Sequence, residues 1–484
     1  MSLKAKATSG LFWTLLQQFG YQGINFVIQL LLARILLPEA FGIIALMQIF
    51  ISVSNNLIDS GMASSLIRNK DLDERDYSTV FYLNIVVAIV LYGVMFVSSP
   101  FIASFYNMPI LTDVIRIYCL SFVINAFSII QVTKLTKEMK FKTQMFVQLP
   151  SLIISGIVSV YLAYSGWGVW SIVVYNLLTN LLSSIQYWLR SKWRPKLIFD
   201  MKKLKYHFNF GYKLTLAYLL NSVFDNIYAV VIGKAFSPQT LGYYNRAETF
   251  QLFPSRNIST ALEKVTYPMF AQIQDDNEKL KKYYRQIFNL VVFILTPTMV
   301  FLAVVAEPLF RFLLTEKWLP MVPYFQILTI VGVLHPFQRY NGNILRVKGR
   351  SDLVLKLNII RKLVLIITIV IGIRYGIYGI LISQCVYSVI CVFLNTMYSA
   401  EMINYPLKEQ VKDVAGIYIL AILIGFGIYQ FDKIVIAALP DILRIVFGMT
   451  IGYIGYFGVA YLFKFETISI ISKFINERKN NGNK

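Results

Sequence analysis

The chain has 484 residues, of which 57% are hydrophobic, and its 46 Lys and Arg against 25 Asp and Glu leave a formal net charge of +21. No gap between apolar stretches is long enough for a soluble nucleotide-binding domain, and no Walker-type phosphate loop occurs, which excludes ATP hydrolysis within the chain. The two histidines, His207 and His335, and the three cysteines, Cys119, Cys385 and Cys391, match no metal-ligand spacing, no H-E-x-x-H and no Ser/His/Asp pattern, so neither a cofactor nor a metal is expected.

Fourteen apolar stretches follow one another, at 11–33, 41–62, 78–99, 110–132, 145–164, 168–189, 209–233, 242–270, 286–306, 321–342, 354–373, 376–398, 413–429 and 441–463. Each is near the ~20 residues that a helix needs to cross a bilayer. The first is too long for a signal-peptide core and has no clear small-residue cleavage site, so it is read as retained. The predicted fold class is all-α: a polytopic membrane protein of about fourteen transmembrane helices.

Most Lys and Arg residues fall in alternate gaps between these stretches. The other set of gaps holds six: Arg34, Lys234, Arg311, Lys317, Arg374 and Lys433. The positive-inside rule therefore places both termini in the cytoplasm, as an even number of spans also requires. The charge needs no nucleic acid, because it sits in short loops where anionic lipid headgroups would meet it. The basic loop from Arg190 to Lys205 is the first choice for such contact. Trp13, Trp167, Trp170, Trp188, Trp193 and Trp318 all lie near span ends, as an aromatic belt would place them.

Polar residues in the leading spans are spaced to share a face. Span one carries Gln18, Gln22, Asn25 and Gln29, and span two carries Gln48, Ser52, Asn55 and Asp59, both at i, i+4, i+7, i+11. Amides facing lipid would lack partners, so these stripes are expected to line a central hydrated cavity. The equivalent faces two hundred residues later hold Tyr218, Ser222 and Asp225, then Glu248, Ser255 and Ser259. Arg116 in span four suits either an anionic substrate or an interfacial phosphate. Arg256 and Glu263 in span eight read either as an internal ion pair or as part of a pathway. Asp59 reads either as an interfacial cap or, with Asp225, Glu248 and Glu263, as a candidate for coupling to a proton or sodium. His335, which precedes Pro336, reads as a packing residue.

An internal repeat is also visible. Arg34, Pro38 and Gly42 recur in register as Lys234, Pro238 and Gly242, each set between one span and the next. The reading divides the chain into a six-helix bundle at 1–200, a second at 201–400, and two additional helices with a basic cytoplasmic tail at 401–484. Two like-oriented bundles around a central cavity suit alternating access.

The run Gly10 to Trp13, followed by Leu32 to Gly42, resembles the start of polysaccharide flippases of the multidrug/oligosaccharidyl-lipid/polysaccharide exporter superfamily. The loop Lys134 to Lys142, ending Lys140-Phe141-Lys142, is similar to the branch that exports lipopolysaccharide O-units, colanic acid or teichuronic acid. The resemblance covers essentially the whole chain. It implies a multi-pass protein of the bacterial cytoplasmic membrane that flips an undecaprenyl-diphosphate-linked oligosaccharide, with membrane lipids and a polysaccharide polymerase as partners. A multidrug or cation antiporter and a peptidoglycan lipid-precursor flippase, both of the same superfamily, are the alternatives. A membrane-embedded glycosyltransferase would need an acidic site on a sizeable loop, which the chain lacks.

Overall fold

A computed structural model describes residues 3–469, and among them the only regular structure is helical. The first helices are α1 (Leu3–Ile35), α2 (Pro38–Asp59), α3 (Met62–Arg68), α4 (Glu74–Tyr106), α5 (Leu111–Tyr118), α6 (Leu120–Lys137), α7 (Phe141–Tyr164), α8 (Val169–Arg190), α9 (Met201–Asp225) and α10 (Ile227–Ala235). There follow α11 (Pro238–Gln272), α12 (Asn277–Val304), α13 (Ala306–Leu314), α14 (Val322–Val347), α15 (Ser351–Gly372), α16 (Gly376–Ile403), α17 (Leu407–Ile434) and α18 (Asp441–Leu462). All fourteen apolar stretches lie on these helices. Nine helical segments among the described residues are long and apolar enough to cross a membrane, or ten if α9 and α10, which meet at 40°, form one bent span.

The chain packs as two compact units that divide after Gly242. In the first, α1 lies along α7, α7 along α8, α4 along α6, and α2 and α3 against α9. In the second, α14 packs on α16 and α12, α15 on α16, and α12 on α17. The second unit has an aromatic centre in which Tyr284 stacks on Phe288 and meets Tyr340 and Tyr405 edge-on. Two of the six tryptophans near helix ends are buried against the protein itself. Trp193 is buried in the first unit, where its Nε1 donates to Glu74 at 2.8 Å, and Trp318 is buried in the second.

The repeat motif has a physical purpose within the first unit. Pro38 and Pro238 each open a helix, where the missing N–H is no loss. One turn on, a Cβ placed on Gly42 would fall on the Pro238 carbonyl, and one placed on Gly242 would fall on the Pro38 carbonyl. Two repeat-related helix starts thus touch backbone to backbone, reciprocally, and only glycine permits it.

A buried polar clamp ties α3, α4 and α9 together. Asp73 and Asp76 form a capping box at the start of α4, with Asp73 accepting from the Asp76 N–H and Asp76 accepting from the Asp73 N–H. Asp76 also accepts from Lys203 Nζ at 2.9 Å and lies 3.0 Å from His207 Nε2. His207 is fully buried, and its Nδ1 sits 2.8 Å from Ser65 Oγ. With Nε2 donating to the carboxylate, Nδ1 is left to accept from the serine. Ser65, His207 and Asp76, remote in sequence, therefore do come together, but all three are buried, so the row is a fastening rather than a reactive site. The basic segment from Arg190 to Lys205 is fastened too: in the loop before α9 Arg194 donates to the Trp188 and Ser191 carbonyls, and in the first turn of α9 Lys203 is held by Asp76.

Gly42→Ala is expected to destabilise the protein by at least the ~1–3 kcal/mol typical of overpacking. Gly23→Ala, where no atom lies within 4 Å of the added carbon, should not destabilise it and should gain up to ~1 kcal/mol of helix propensity. Thermal melts of the detergent-solubilised variants check the contrast. His207→Ala should lower the melting temperature through the ~1–3 kcal/mol that an orphaned buried partner costs. A melt equal to wild type would remove the clamp from the account.

Candidate functional site

The stripe on α1 is half-buried along its length: Gln18, Gln22, Asn25 and Gln29 all have this intermediate exposure. The opposite side of the helix borders an apolar groove of about 410 Å³, where Val27 and Leu31 stand beside Ile153 and Ile157 of α7. These four aliphatic side chains are exposed, as a lipid-facing surface would be. At 100° per residue the amides point away from that surface. Close approach of α1 to α7 depends on Gly156, whose missing side chain makes room for Ile28. The network around the stripe is internal: Tyr175 of α8 donates to Asn25 Oδ1 at 2.7 Å, while Gln17 donates to Gln148, which donates on to the Tyr187 hydroxyl.

On α2, Gln48 and Asn55 are exposed, and Ser52 is half-buried and accepts from Asn226 at 3.3 Å. The neighbouring Asn56 donates to Ser222 of α9 at 2.7 Å. Asp59 accepts from the Ala63 N–H at 3.1 Å, so its carboxylate caps the break between α2 and α3, where Ser60 and Gly61 take positive φ. Asp225 is exposed at the end of α9, beside the bend at Asn226. Arg116 is drawn to α4, where its Nε donates to Ser99 at 3.0 Å and its guanidinium lies 4.4 Å from the Phe96 ring centre. Of the two repeat-related cations, Arg34 is exposed, and Lys234 donates to the Phe105 carbonyl and sits over the Phe105 ring.

In the second unit, Glu248 accepts from Tyr244 at 2.9 Å, and Arg256 is exposed on α11. The side chain of Glu263 lies outside the described residues. His335 does more than pack: it lines a polar cavity between α14, α15 and α16 that also holds Arg339, Arg346 and Arg361. Sequence reasoning passed over these arginines. Their spacing was the available signal, since Arg339 and Arg346 lie seven residues apart on one helical face. No group of three His, Cys, Asp or Glu suited to a metal occurs among the described residues.

The fold is that of a membrane transporter. It superposes on the structure "Lipid II flippase MurJ, inward closed conformation" with a TM-score of 0.73, at 16% identity, over 94% of this chain and 99% of that one. At that identity the likeness concerns the fold alone. A family profile described as "Polysaccharide biosynthesis protein" matches residues 31–323, well over half of the sequence. The chain belongs to this polysaccharide biosynthesis protein family. It is 31% identical over 302 residues to the teichuronic acid biosynthesis protein TuaB of Bacillus subtilis (strain 168), a match spanning 61% of this chain and 62% of that relative. It is 27% identical over 377 residues to the lipopolysaccharide biosynthesis protein WzxC of Escherichia coli (strain K12), across 77% of this chain and 76% of the relative. The resemblance drawn from the loop motifs is thereby borne out, and the chain is a multi-pass protein of the cytoplasmic membrane.

Proposed function

We propose that the protein flips a lipid-diphosphate-linked oligosaccharide from the inner to the outer leaflet by alternating access. The observation that carries this reading is the four-residue amide stripe of α1, turned away from the exposed apolar groove on the same helix. Half-buried amides serve a sugar well. Each offers both a donor and an acceptor, so successive hydroxyls exchange partners without any one being held tightly. Gln48 and Asn55 on α2 extend the same chemistry. Arg116 and Arg256 supply positive charge for the diphosphate, and the lipid tail stays in the bilayer. Family membership and relatives named for polysaccharide biosynthesis support the class of cargo.

In this reading the six-helix repeats at 1–200 and 201–400 alternate in access, and the two C-terminal helices are additions to that plan. Moving each negative charge outward across an inside-negative potential gains ~2.3 kcal/mol per 100 mV if the full field is crossed. The potential is then a driving force that needs no coupled ion. Asp225 and Glu248 are the carboxylates through which a proton or sodium would add to it, and Asp59, as a helix cap, is the less available one.

The test is a flipping assay in proteoliposomes, using an undecaprenyl-diphosphate oligosaccharide whose sugar becomes open to a glycosidase only after translocation. Wild type is expected to expose the sugar in a protein-dependent manner. A Gln22→Leu, Gln29→Leu double variant, which keeps volume and removes the amides, should slow exposure at least ten-fold with unaltered expression. Sugar exposure no faster than in empty liposomes, combined with efflux of cationic dyes, would replace the reading with a multidrug transporter.

A further inference from the structure

The segment from Leu189 to Lys205 joins α8 to the first turns of α9 and holds seven Lys and Arg against one acid, Asp200. Its backbone is anchored on the start of α4. The Lys196 N–H donates to Ser78 Oγ and the Asp200 N–H to Thr79 Oγ1, both at 3.0 Å, while the Trp193 indole is tied to Glu74. The anchored segment nonetheless leaves large apolar side chains open: Leu197 is 94% exposed, Met201 66% and Phe199 51%. Three such groups within five residues of a fixed backbone mark an interaction surface.

Cations surround them. Arg190, Lys192, Lys196, Lys202 and Lys205 are all exposed, and none of their side chains is hydrogen-bonded or ion-paired among the described residues. The carboxylates close by are engaged: Asp200 accepts from the N–H groups of Lys202 and Lys203, and Asp76 holds Lys203 and His207.

Next to this segment an apolar groove of about 680 Å³ runs between α6 and α8, with Val123 and Phe127 on one side and Leu181, Ile185 and Trp188 on the other. Arg194 of the loop is also in its wall, fixed beside the Trp188 ring by bonds to the Trp188, Ser191 and Trp193 carbonyls. On α8 the groove residues lie ~120° around the helix from Tyr175 and Gln186. Those two bond to Asn25 of α1 and Ser151 of α7. The groove therefore opens away from the amide network, on a side of α8 that meets hydrocarbon.

We propose that loop and groove together bind an anionic phospholipid of the inner leaflet, with its phosphate among the loop cations and one acyl chain in the groove. The distribution of charge assigns the loop to the cytoplasmic side. Anionic headgroups there attract a basic segment adjoining a span. Leu197, Phe199 and Met201 gain cover at the same boundary, as the apolar face of an interfacial segment does. An acidic soluble protein would match the cations but not a groove alongside a spanning helix. The site requires only that the chain crosses a membrane, and it stands apart from the transport reading above.

Full-length protein purified in detergent is titrated with phosphatidylglycerol and, separately, with phosphatidylcholine of the same acyl chains, and bound lipid is counted by native mass spectrometry. Wild type should retain phosphatidylglycerol at least ten-fold more tightly. Lys192→Gln and Lys196→Gln combined should cut that preference at least five-fold. Lys408→Gln and Lys412→Gln combined, which remove two exposed cations of α17, should leave it intact. As a second measurement, phosphatidylglycerol with a photoreactive acyl chain, dilute in phosphatidylcholine liposomes, should crosslink to Phe127, Ile185 and Trp188 more heavily than the matching phosphatidylcholine probe. Equal retention of the two lipids by wild type, or a preference untouched by the Lys192 and Lys196 substitutions, overturns the site and leaves the loop to an acidic protein partner. Equal labelling of the groove by the two photoreactive lipids overturns it as well.

Discussion

A polar group in hydrocarbon must find its partner inside the protein, because the alternative costs several kcal/mol per group. This constraint organises the whole chain. Asn341 shows its full form: its oxygen accepts from Tyr284 and Ser399, and its amide donates to Thr396 and Gln410. One side chain thus joins α12, α14, α16 and α17. The pairing of Arg444 with Asp432, through two hydrogen bonds of 2.8 and 2.6 Å, applies the rule to charge. Arg116 applies it with a hydroxyl and an aromatic face in place of a carboxylate.

The α1 stripe is distinguished by its partial exposure. Asn25 is tied down by Tyr175, yet all four of its positions remain half-buried rather than sealed in a core. Amides left in that condition suit a cargo whose hydroxyls move past them, since a neutral hydrogen bond has a modest net worth of ~1 kcal/mol and is readily exchanged.

The backbone contributes as much as the side chains. Reciprocal contact at Gly42 and Gly242 lets two helix starts meet without intervening side chains. Elsewhere Gly61, with positive φ, lies against Gly211, where neither position has room for a Cβ. These glycines bring α2 close to its neighbours at both ends. The clamp of Ser65, His207, Asp76 and Lys203 then fixes the same region from the side chains.

Helix positions and the amphipathic stripe of α1 were legible in the sequence, because hydropathy and the 3.6-residue period are local properties. The Pro and Gly register was legible too, although its meaning, a contact between the two motifs themselves, was not. Pairings across long separations needed the tertiary structure. Nothing near Asp76 announces His207, nothing near Arg346 announces Arg361, and nothing near Trp193 announces Glu74. Asp59 stood open between cap and pathway until the break before α3 placed the Ala63 N–H against it. The physical reason is the same in each case: a chain shows which groups need partners, but only packing brings the partners within hydrogen-bonding reach.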